Sequence, residues 1–221
     1  MPLALLGGTF DPVHYGHLRL ADEVARVQAP IEVRLVPARD PPHRGAPHAS
    51  ARHRVAMLRL ALAEFPRLAL DTREIERTGK SYTVLTLESL RREAPRRPLA
   101  LIVGADVLLG LMTWHRWREV FDLAHLLVVA RPGVDLAIGN MPPQLASEWQ
   151  RRLAADPRAL RERPAGAIVV QAITPHPISA TAIRAALARG AVDEVRGLLP
   201  PAVLAYIETN RLYGTHTPDA P

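Results

Sequence analysis

Residues 7 to 21 read GGTFDPVHYGHLRLA and follow only six residues of chain. The run before them, Leu3 to Leu6, is short and apolar like a buried strand, and Leu18 to Val27 has apolar residues at helical spacing. Gly7 and Gly8 therefore fall where a first strand ends and its helix begins. Ligands of parallel sheets bind at the carboxyl ends of the strands, so we expect a ligand at this junction.

The same alternation of strand and helix continues along most of the chain. Short apolar runs bounded by turn residues predict buried strands at Leu3 to Leu6, Ile31 to Val36, Leu68 to Asp71, Leu99 to Val103, His125 to Ala130 and Ala167 to Ala172. Helical spacing predicts helices at Leu18 to Val27, Arg52 to Phe65, Val84 to Glu93 and Trp117 to Leu123. The pattern predicts an α/β protein with a Rossmann-like, doubly wound parallel sheet; a mixed α+β fold is the alternative.

The chain changes character after its last predicted strand. Three more helical segments follow with no strand between them, namely Ser179 to Arg189, Val192 to Leu199 and Pro201 to Asn210. We therefore predict a single domain over residues 1 to 213, in which residues from about 179 to 213 form a small helical subdomain. Residues 214 to 221 have a loop composition and are expected to be a flexible tail.

Composition narrows the chemistry that the chain can perform. The 221 residues include no cysteine, which excludes disulfides, a thiolate nucleophile and a zinc-thiolate site. The net charge is +6, but the arginines are scattered along helices and Lys80 is the one lysine, which is typical of a composition bias. We expect small anionic substrates and no nucleic acid.

Neither a leader nor a membrane span is expected. The opening MPLALL has no basic region, and the apolar stretch Leu99 to Met112 is interrupted by Gly104, Asp106 and Gly110. We therefore predict a cytoplasmic protein with no membrane partner. The oligomeric state is left open by the sequence.

The helix that follows Gly8 has no carboxylate in its first turn, although acidic residues are favoured at that position. His14 and His17 are three residues apart and share one face of the turn. Two imidazoles beside backbone N–H groups suit a polyphosphate. Zinc ligation is one alternative, without an HExxH motif or a third ligand nearby; capping or surface histidines are the other.

A second segment, ISATAIR from Ile178 to Arg184, has a related pattern. Ser179 is a good N-cap, but Ala182 stands where a capping-box Glu or Gln would reach back. Thr181 and Arg184 are three residues apart on one helix face. The segment predicts a second phosphate site, and an ordinary capped helix with a solvated arginine is the alternative.

These two segments carry a resemblance to a known family. GGTFDPVHYGH resembles the signature of the nucleotidyltransferase superfamily with the (H/T)xGH motif, and ISATAIR resembles its second signature, ISxTxxR. With PPHR, SYT, GAD and TW, the chain is similar over nearly its whole length to bacterial nicotinate-nucleotide adenylyltransferases. The resemblance implies transfer of the adenylyl group of ATP to nicotinate mononucleotide, with release of pyrophosphate, in NAD biosynthesis.

The resemblance also implies a set of site residues. The catalytic residues would be His14, His17 and Arg184. The ATP-binding residues would be Gly7, Gly8, Thr9, Phe10, His14, His17, Gly104, Asp106, Ser179, Thr181 and Arg184. The acceptor substrate would contact His43, Arg44, Ser81, Tyr82, Thr83, Trp114 and Arg131. Mg²⁺ would be bound through the ATP phosphates, and no metal ligand is predicted from the protein itself.

Within this set, His17 would stabilise the pentavalent α-phosphorus and His14 would hold the triphosphate. Trp114 would stack on the pyridine ring, with core packing as the alternative, whereas Trp117 is expected in the core. Asp106 would meet the adenosine or act as a helix N-cap.

The loop residues His43 and Arg44 would contact the acceptor's phosphate, with a solvated basic loop as the alternative. Arg44 stands where the family often has lysine, and Asp40 stands where it frequently has asparagine. The guanidinium keeps the charge but changes the hydrogen-bonding geometry.

The implied reaction needs little proton transfer. A monophosphate is mostly ionised at pH 7, so it attacks ATP without a general base, and the protein positions two anions and stabilises the developing charge. A phosphopantetheine adenylyltransferase and a cytidylyltransferase are the alternative enzymes. A non-catalytic nucleotide-binding regulator is an alternative from another class, against which His14, His17 and Arg184 argue.

Overall fold

The computed structural model describes residues 1–41, 45–130, 136 and 138–215. Within these residues, six strands form one parallel sheet in the order β3-β2-β1-β4-β5-β6. The strands are β1 Leu3–Gly8, β2 Glu32–Pro37, β3 Leu68–Leu70, β4 Leu99–Gly104, β5 His125–Ala130 and β6 Ile168–Ala172. This is the order of a Rossmann-like fold, and it confirms the predicted α/β class. The order reverses between β1 and β4, so their carboxyl ends flank the crevice where such sheets bind ligands.

Helices cover both faces of the sheet. The α-helices are α1 Tyr15–Val27, α2 Ala51–Leu62, α3 Arg73–Glu76, α4 Thr83–Glu93, α5 Ala105–Leu109, α6 Val120–Leu123, α7 Pro143–Arg152, α8 Ala159–Glu162, α9 Ala180–Ala188 and α10 Pro201–Thr209. Short 3₁₀ helices span Leu111–Thr113, Trp117–Glu119, Ile138–Asn140, Val192–Val195 and Leu212–Gly214. Helix α7 was not predicted, because Leu145 and Trp149 are its only buried side chains and they make a narrow apolar stripe.

The sheet separates two hydrophobic cores. The strands alternate their side chains between the faces, so Ala4 packs into one core while Leu3 and Leu5 pack into the other. All six residues of β5 are buried, as expected for a central parallel strand. Each fully buried aliphatic side chain contributes roughly 1.5–3 kcal/mol.

The C-terminal part differs from the prediction in one helix. The expected helix from Val192 to Leu199 is wrong beyond Val195, where the 3₁₀ helix ends. Gly197 has a φ of 79°, which a right-handed helix does not accommodate, and Arg196 forms a bridge with Leu199 instead. The turn has a function in the fold, since the carbonyl of Leu198 accepts the N–H of Tyr15 at 3.0 Å and so joins this part to the start of α1.

The predicted tail begins inside the packed structure. Gly214 closes the last 3₁₀ helix, and Thr215 is buried, with its hydroxyl donating to the carbonyl of Leu212 at 3.0 Å. Residues 216–221 lie outside the described residues. The division into one domain with a helical subdomain stays a prediction.

Over the described ranges, no helix is both long enough and apolar enough to cross a membrane.

Candidate active site

The loop between β1 and α1 begins with a close contact between Gly8 and Phe10. A Cβ on Gly8 would lie 2.9 Å from the buried Phe10 ring, so a larger residue does not fit there. Phe10 itself has a φ of 51°, a conformation that costs a non-glycine residue on the order of 1 kcal/mol. That conformation places the ring edge-on to His17, with 5.0 Å between the ring centroids. The strained turn therefore positions one of the predicted catalytic residues.

His14 and His17 form a stacked pair at the start of α1. Their ring centroids are 3.7 Å apart and their planes differ by 23°. Gly16 makes room for the pair, because a Cβ there would lie 3.0 Å from the His14 ring and 3.4 Å from Ile178. His14 is 4% exposed, and burial lowers its pKa to about 4. The His14 ring is therefore neutral at pH 7.

The N-terminus of α9 supplies the second group of predicted phosphate ligands. The Ser179 hydroxyl accepts the N–H of Ala182 at 3.5 Å, which confirms the predicted N-cap. No acidic residue lies in the first turn of either α1 or α9. Arg184 donates to the backbone carbonyl of Asp11 at 2.7 Å and to the Thr181 hydroxyl at 3.4 Å. Arg184 thereby joins the second motif to the first.

These groups line one cavity of about 480 Å³, which we call the histidine cavity. Its wall contains nine of the predicted ATP ligands, namely Gly7, Gly8, Thr9, Phe10, His14, His17, Ser179, Thr181 and Arg184. The loop residues Gly45, Ala46, Pro47 and His48 also line it. The two motifs, which are far apart in sequence, therefore meet at one site.

A second cavity of about 430 Å³, which we call the tryptophan cavity, lies beside the first. Its wall includes the predicted acceptor residues Ser81, Tyr82, Thr83 and Trp114 together with Gly104. Gly7, Gly8 and Thr9 line both cavities. The end of β1 is thus a common wall between a polar cavity and a more apolar, aromatic one.

The segment from Ser81 to Thr83 has distinct contacts at each residue. The Ser81 hydroxyl accepts the N–H of Arg39 at 2.9 Å and that of Asp40 at 3.4 Å, so it also anchors the loop that follows β2. The Tyr82 ring lies 4.4 Å from His115 between centroids. Thr83 begins α4, whose first turn has neither a side-chain cap nor an acidic residue. This amino end is suited to an anionic group.

The two tryptophans of the TWHRW segment have different environments. Trp117 is buried in a core, as predicted, and its ring packs edge-on to Phe121 with centroids 6.2 Å apart. Trp114 is partly buried and lines the tryptophan cavity. Trp114 also packs against the core, so the alternative of core packing applies in part, and its stacking on a pyridine ring stays a prediction.

One predicted site residue that the structure describes lies outside both cavities. Asp106 is exposed in the first turn of α5, where Gly104 is the N-cap, and it is not among the described residues that line either cavity. The expectations for His43, Arg44 and Arg131 fall outside the described residues. Asp40 is described; its side chain is exposed and its carbonyl accepts the N–H of Ser81 at 3.0 Å.

The structure adds buried charged residues that sequence reasoning missed. Arg54 on α2 is 1% exposed and donates to the carbonyl of Thr9 at 2.7 Å and to that of Ala49 at 3.3 Å. Burial lowers the pKa of Arg54, and the Asp11 carboxylate opposes that shift. Glu74 lines the tryptophan cavity and accepts the Thr86 hydroxyl at 2.6 Å. An arginine or glutamate on an amphipathic helix usually faces solvent, so no local signal marked either residue.

Among the described residues, no three His, Cys, Asp or Glu side chains lie close enough together to hold a metal ion. The polar wall of the histidine cavity instead consists mainly of donors: imidazoles, a guanidinium, hydroxyls and a helix amino end. Such a wall fits phosphate oxygens, which in turn are good ligands for a divalent cation.

Comparisons with known proteins agree with this geometry. Residues 5–186 match the model of the cytidylyltransferase-like family. A probable nicotinate-nucleotide adenylyltransferase from Dechloromonas aromatica is 52% identical over 213 residues, covering 96% of this chain and 97% of that protein. A protein of the same description from Halorhodospira halophila is 50% identical over 212 residues, covering 96% and 95% of the two chains. This chain belongs to the nicotinate-nucleotide adenylyltransferase family. The family that the motifs indicated is thereby confirmed.

Solved structures support the fold. The nicotinic acid mononucleotide adenylyltransferase of Plasmodium falciparum, complexed with NaAD, matches with a TM-score of 0.72 over 97% of this chain and 98% of that one, at 14% identity. The same protein complexed with APC matches with a TM-score of 0.71 over the same shares of the two chains, at 15% identity. At these identities the likeness shows a shared architecture. Members of this nucleotidyltransferase family use a divalent metal ion with ATP.

Proposed function

We propose that this protein transfers the adenylyl group of ATP to nicotinate mononucleotide, which forms nicotinate adenine dinucleotide and pyrophosphate in NAD biosynthesis. One observation carries the proposal: a cavity lined by two stacked histidines and an arginine shares the Gly7-Gly8-Thr9 wall with a cavity lined by Trp114 and Thr83. A triphosphate suits the first cavity and a pyridine nucleotide suits the second. The phosphate of the acceptor and the α-phosphorus of ATP would then meet at the shared wall.

The chemistry follows from the charges of the two substrates. The acceptor phosphate is mostly ionised at pH 7 and attacks the α-phosphorus directly, so the bond to the pyrophosphate breaks as the new bond forms. His17 is partly exposed and would donate to an oxygen of the α-phosphate as negative charge develops there. His14 is neutral because of its burial, and it would donate one ring N–H to the triphosphate without carrying a charge. Ser179, Thr181 and Arg184 would hold the β and γ phosphates.

Mg²⁺ is the metal ion that we propose for this reaction. It would be bound mainly by the phosphate oxygens of ATP, since magnesium commonly combines substrate phosphates with few protein ligands. When bound, it would neutralise charge on the departing pyrophosphate. The protein's own contribution is to hold the phosphates with the donors of the histidine cavity.

The tryptophan cavity is proposed to select the acceptor. An indole stacked on the pyridine ring and the N–H groups at the amino end of α4 suit an aromatic carboxylate. The location of the protein in the cytoplasm stays a prediction.

The function is tested by supplying purified protein with ATP, MgCl₂ and one of three acceptors. Release of pyrophosphate is measured with nicotinate mononucleotide, nicotinamide mononucleotide or 4′-phosphopantetheine. We expect the highest kcat/KM with nicotinate mononucleotide. Turnover only with phosphopantetheine would contradict the assignment of the acceptor, and no turnover with any of the three would contradict adenylyl transfer.

Two tryptophan variants locate the acceptor within the molecule. Trp114→Ala is expected to raise the KM for nicotinate mononucleotide about tenfold, because stacking on an aromatic side chain contributes roughly 1–3 kcal/mol per ring. Trp117→Phe is the control, because Trp117 is in the core. This variant should have a lower Tm and nearly the wild-type KM for nicotinate mononucleotide. An equal change of KM in both variants would contradict the stacking role of Trp114.

A further inference from the structure

The carboxylate of Asp11 connects three segments of the chain at the histidine cavity. It accepts the backbone N–H of His48 at 2.7 Å, the N–H of Ala49 at 3.0 Å and the hydroxyl of Tyr213 at 2.7 Å. Asp11 is 5% exposed, and burial together with this hydrogen bond raises the pKa of Tyr213 well above its usual range. Three donors thus depend on one side chain; the bond from Ala49 is buried and the other two are partly buried, so loss of the carboxylate would cost most at Ala49.

One of the segments held by Asp11 helps to shape the histidine cavity. Residues 45 to 48 form part of its wall, and Asp11 binds the end of that loop. Ala49 is held from both sides, because its N–H donates to Asp11 and its carbonyl accepts from Arg54. This loop of the cavity is therefore anchored to the first motif and not only to its own neighbours.

The backbone of Asp11 has a second role in the same site. Its carbonyl accepts the guanidinium of Arg184 at 2.7 Å, just as the carbonyl of Thr9 accepts that of Arg54. The first of these contacts orients the Arg184 side chain. A shift of residue 11 would consequently move a group that we assign to the β and γ phosphates.

We propose that Asp11 is a positioning residue of the adenylyl-transfer site. Its carboxylate is used by protein donors, so it acts on the nucleotide through the groups that it holds: the 45–49 loop, Tyr213 and Arg184. The inference rests on the proposed function, because it assumes that the histidine cavity takes the triphosphate of ATP. The inference predicts that the affinity for ATP depends on the hydrogen bond between Asp11 and Tyr213. Neither side chain was assigned to ATP binding from the sequence.

The test compares three variants by titration calorimetry with α,β-methylene-ATP and MgCl₂, and by thermal denaturation. Asp11→Asn replaces one acceptor oxygen by an NH₂ group, which cannot accept from the donors that face it. We therefore expect the Kd for α,β-methylene-ATP to rise at least about tenfold. Tyr213→Phe removes one of the three donors and should raise the Kd about threefold. Tyr206→Phe is the matched control, since its hydroxyl also makes one hydrogen bond, at 2.9 Å to Nδ1 of His53, at a contact between α10 and α2.

We expect Tyr206→Phe to bind the analogue with the wild-type Kd even if its Tm falls as much as that of Tyr213→Phe. Equal Kd values in Tyr213→Phe and Tyr206→Phe would overturn the inference, and so would a folded Asp11→Asn protein with wild-type affinity. If Asp11→Asn does not fold, the two tyrosine variants still decide. Wild-type protein that binds the analogue but turns over no acceptor would instead contradict the proposed function alone.

Discussion

Two buried histidines lie at opposite edges of the sheet, one at the amino edge, where strands begin, and one at the carboxyl edge, where strands end. They differ in the hydrogen bonds that their rings make. His125 begins β5 at the amino edge, where its Nε2 lies 2.8 Å from the carbonyl oxygen of Arg163 and its Nδ1 accepts the N–H of Ala167 at 3.0 Å. His14 lies at the carboxyl edge, and no described residue hydrogen-bonds its Nδ1. Burial lowers the pKa of both rings.

The difference shows which edge of the sheet is complete without a ligand. An imidazole with both nitrogens bonded to the backbone, like His125, joins two segments and has no donor or acceptor left for a substrate. A buried nitrogen without a partner, as in His14, costs stability, and such a cost is accepted mainly where a ligand will pair with it. The amino edge is therefore structural, and the carboxyl edge is prepared for binding.

The comparison is most strongly tested by removing a histidine at the carboxyl edge. We expect His17→Ala to lower kcat about 1000-fold, because one donor to the charge that develops in the transition state is worth roughly a factor of 10²–10³. Binding of α,β-methylene-ATP should survive, and so should the Tm. Steady-state pyrophosphate release measures kcat, and a variant with a nearly normal rate would disprove the role assigned to His17.

The pH dependence of stability gives the next largest effect. His14 has a folded-state pKa of about 4, below its ordinary value of 6.5, so the unfolded chain takes up a proton in this interval before the folded protein does. The stabilisation is fully present above pH 6.5 and is lost as the pH falls toward 4. The loss from this group is about 3 kcal/mol, at 1.36 kcal/mol per pH unit.

Urea unfolding of wild type and His14→Asn between pH 7 and pH 4 measures this contribution. Asparagine is a good N-cap and does not titrate, so the variant should lose less stability on acidification than the wild type. His125 contributes in the same direction in both proteins and cancels from the comparison. Identical pH profiles would contradict the assignment of the titration to His14.

At the amino edge, His125→Leu should affect stability and leave catalysis unchanged. The variant leaves the carbonyl of Arg163 and the N–H of Ala167 without their partner, and we expect a loss of about 2 kcal/mol in the free energy of unfolding. The kcat of the folded variant should stay within about twofold of wild type. A large fall in kcat at full folding would remove the distinction between the two edges.

The smallest expected effect comes from Gly16→Ala. The added Cβ would lie 3.0 Å from the His14 ring, so the ring must shift, and we expect kcat/KM to fall about tenfold. Gly139→Ala is the matched control, because a Cβ at Gly139 meets nothing within 4 Å. Equal kinetics in the two variants would show that the position of the His14 ring has little influence on the reaction.

The fold was largely predictable because its pattern is local. Each of the six strands was found within one or two residues of its bounds from apolar runs and turn residues. Helix α7 was missed because its stripe of buried residues is narrow. The helix predicted from Val192 to Leu199 was too long, because it ends at Val195 and the positive φ of Gly197 prevents it from continuing. The motifs around His14 and Ser179 were likewise visible as helix starts without acidic residues.

The sequence by itself determined the parallel α/β fold, the family and the two motifs that meet at the carboxyl edge. Only the tertiary structure decided that Arg184 donates to the carbonyl of Asp11 across 173 positions, that Arg54 is buried behind Thr9, and that Asp11 holds Tyr213. The physical reason is that helix and strand patterns repeat over a few residues, whereas these hydrogen bonds depend on how distant elements pack. The type of residue at one end of such a contact does not predict which residue is at the other end.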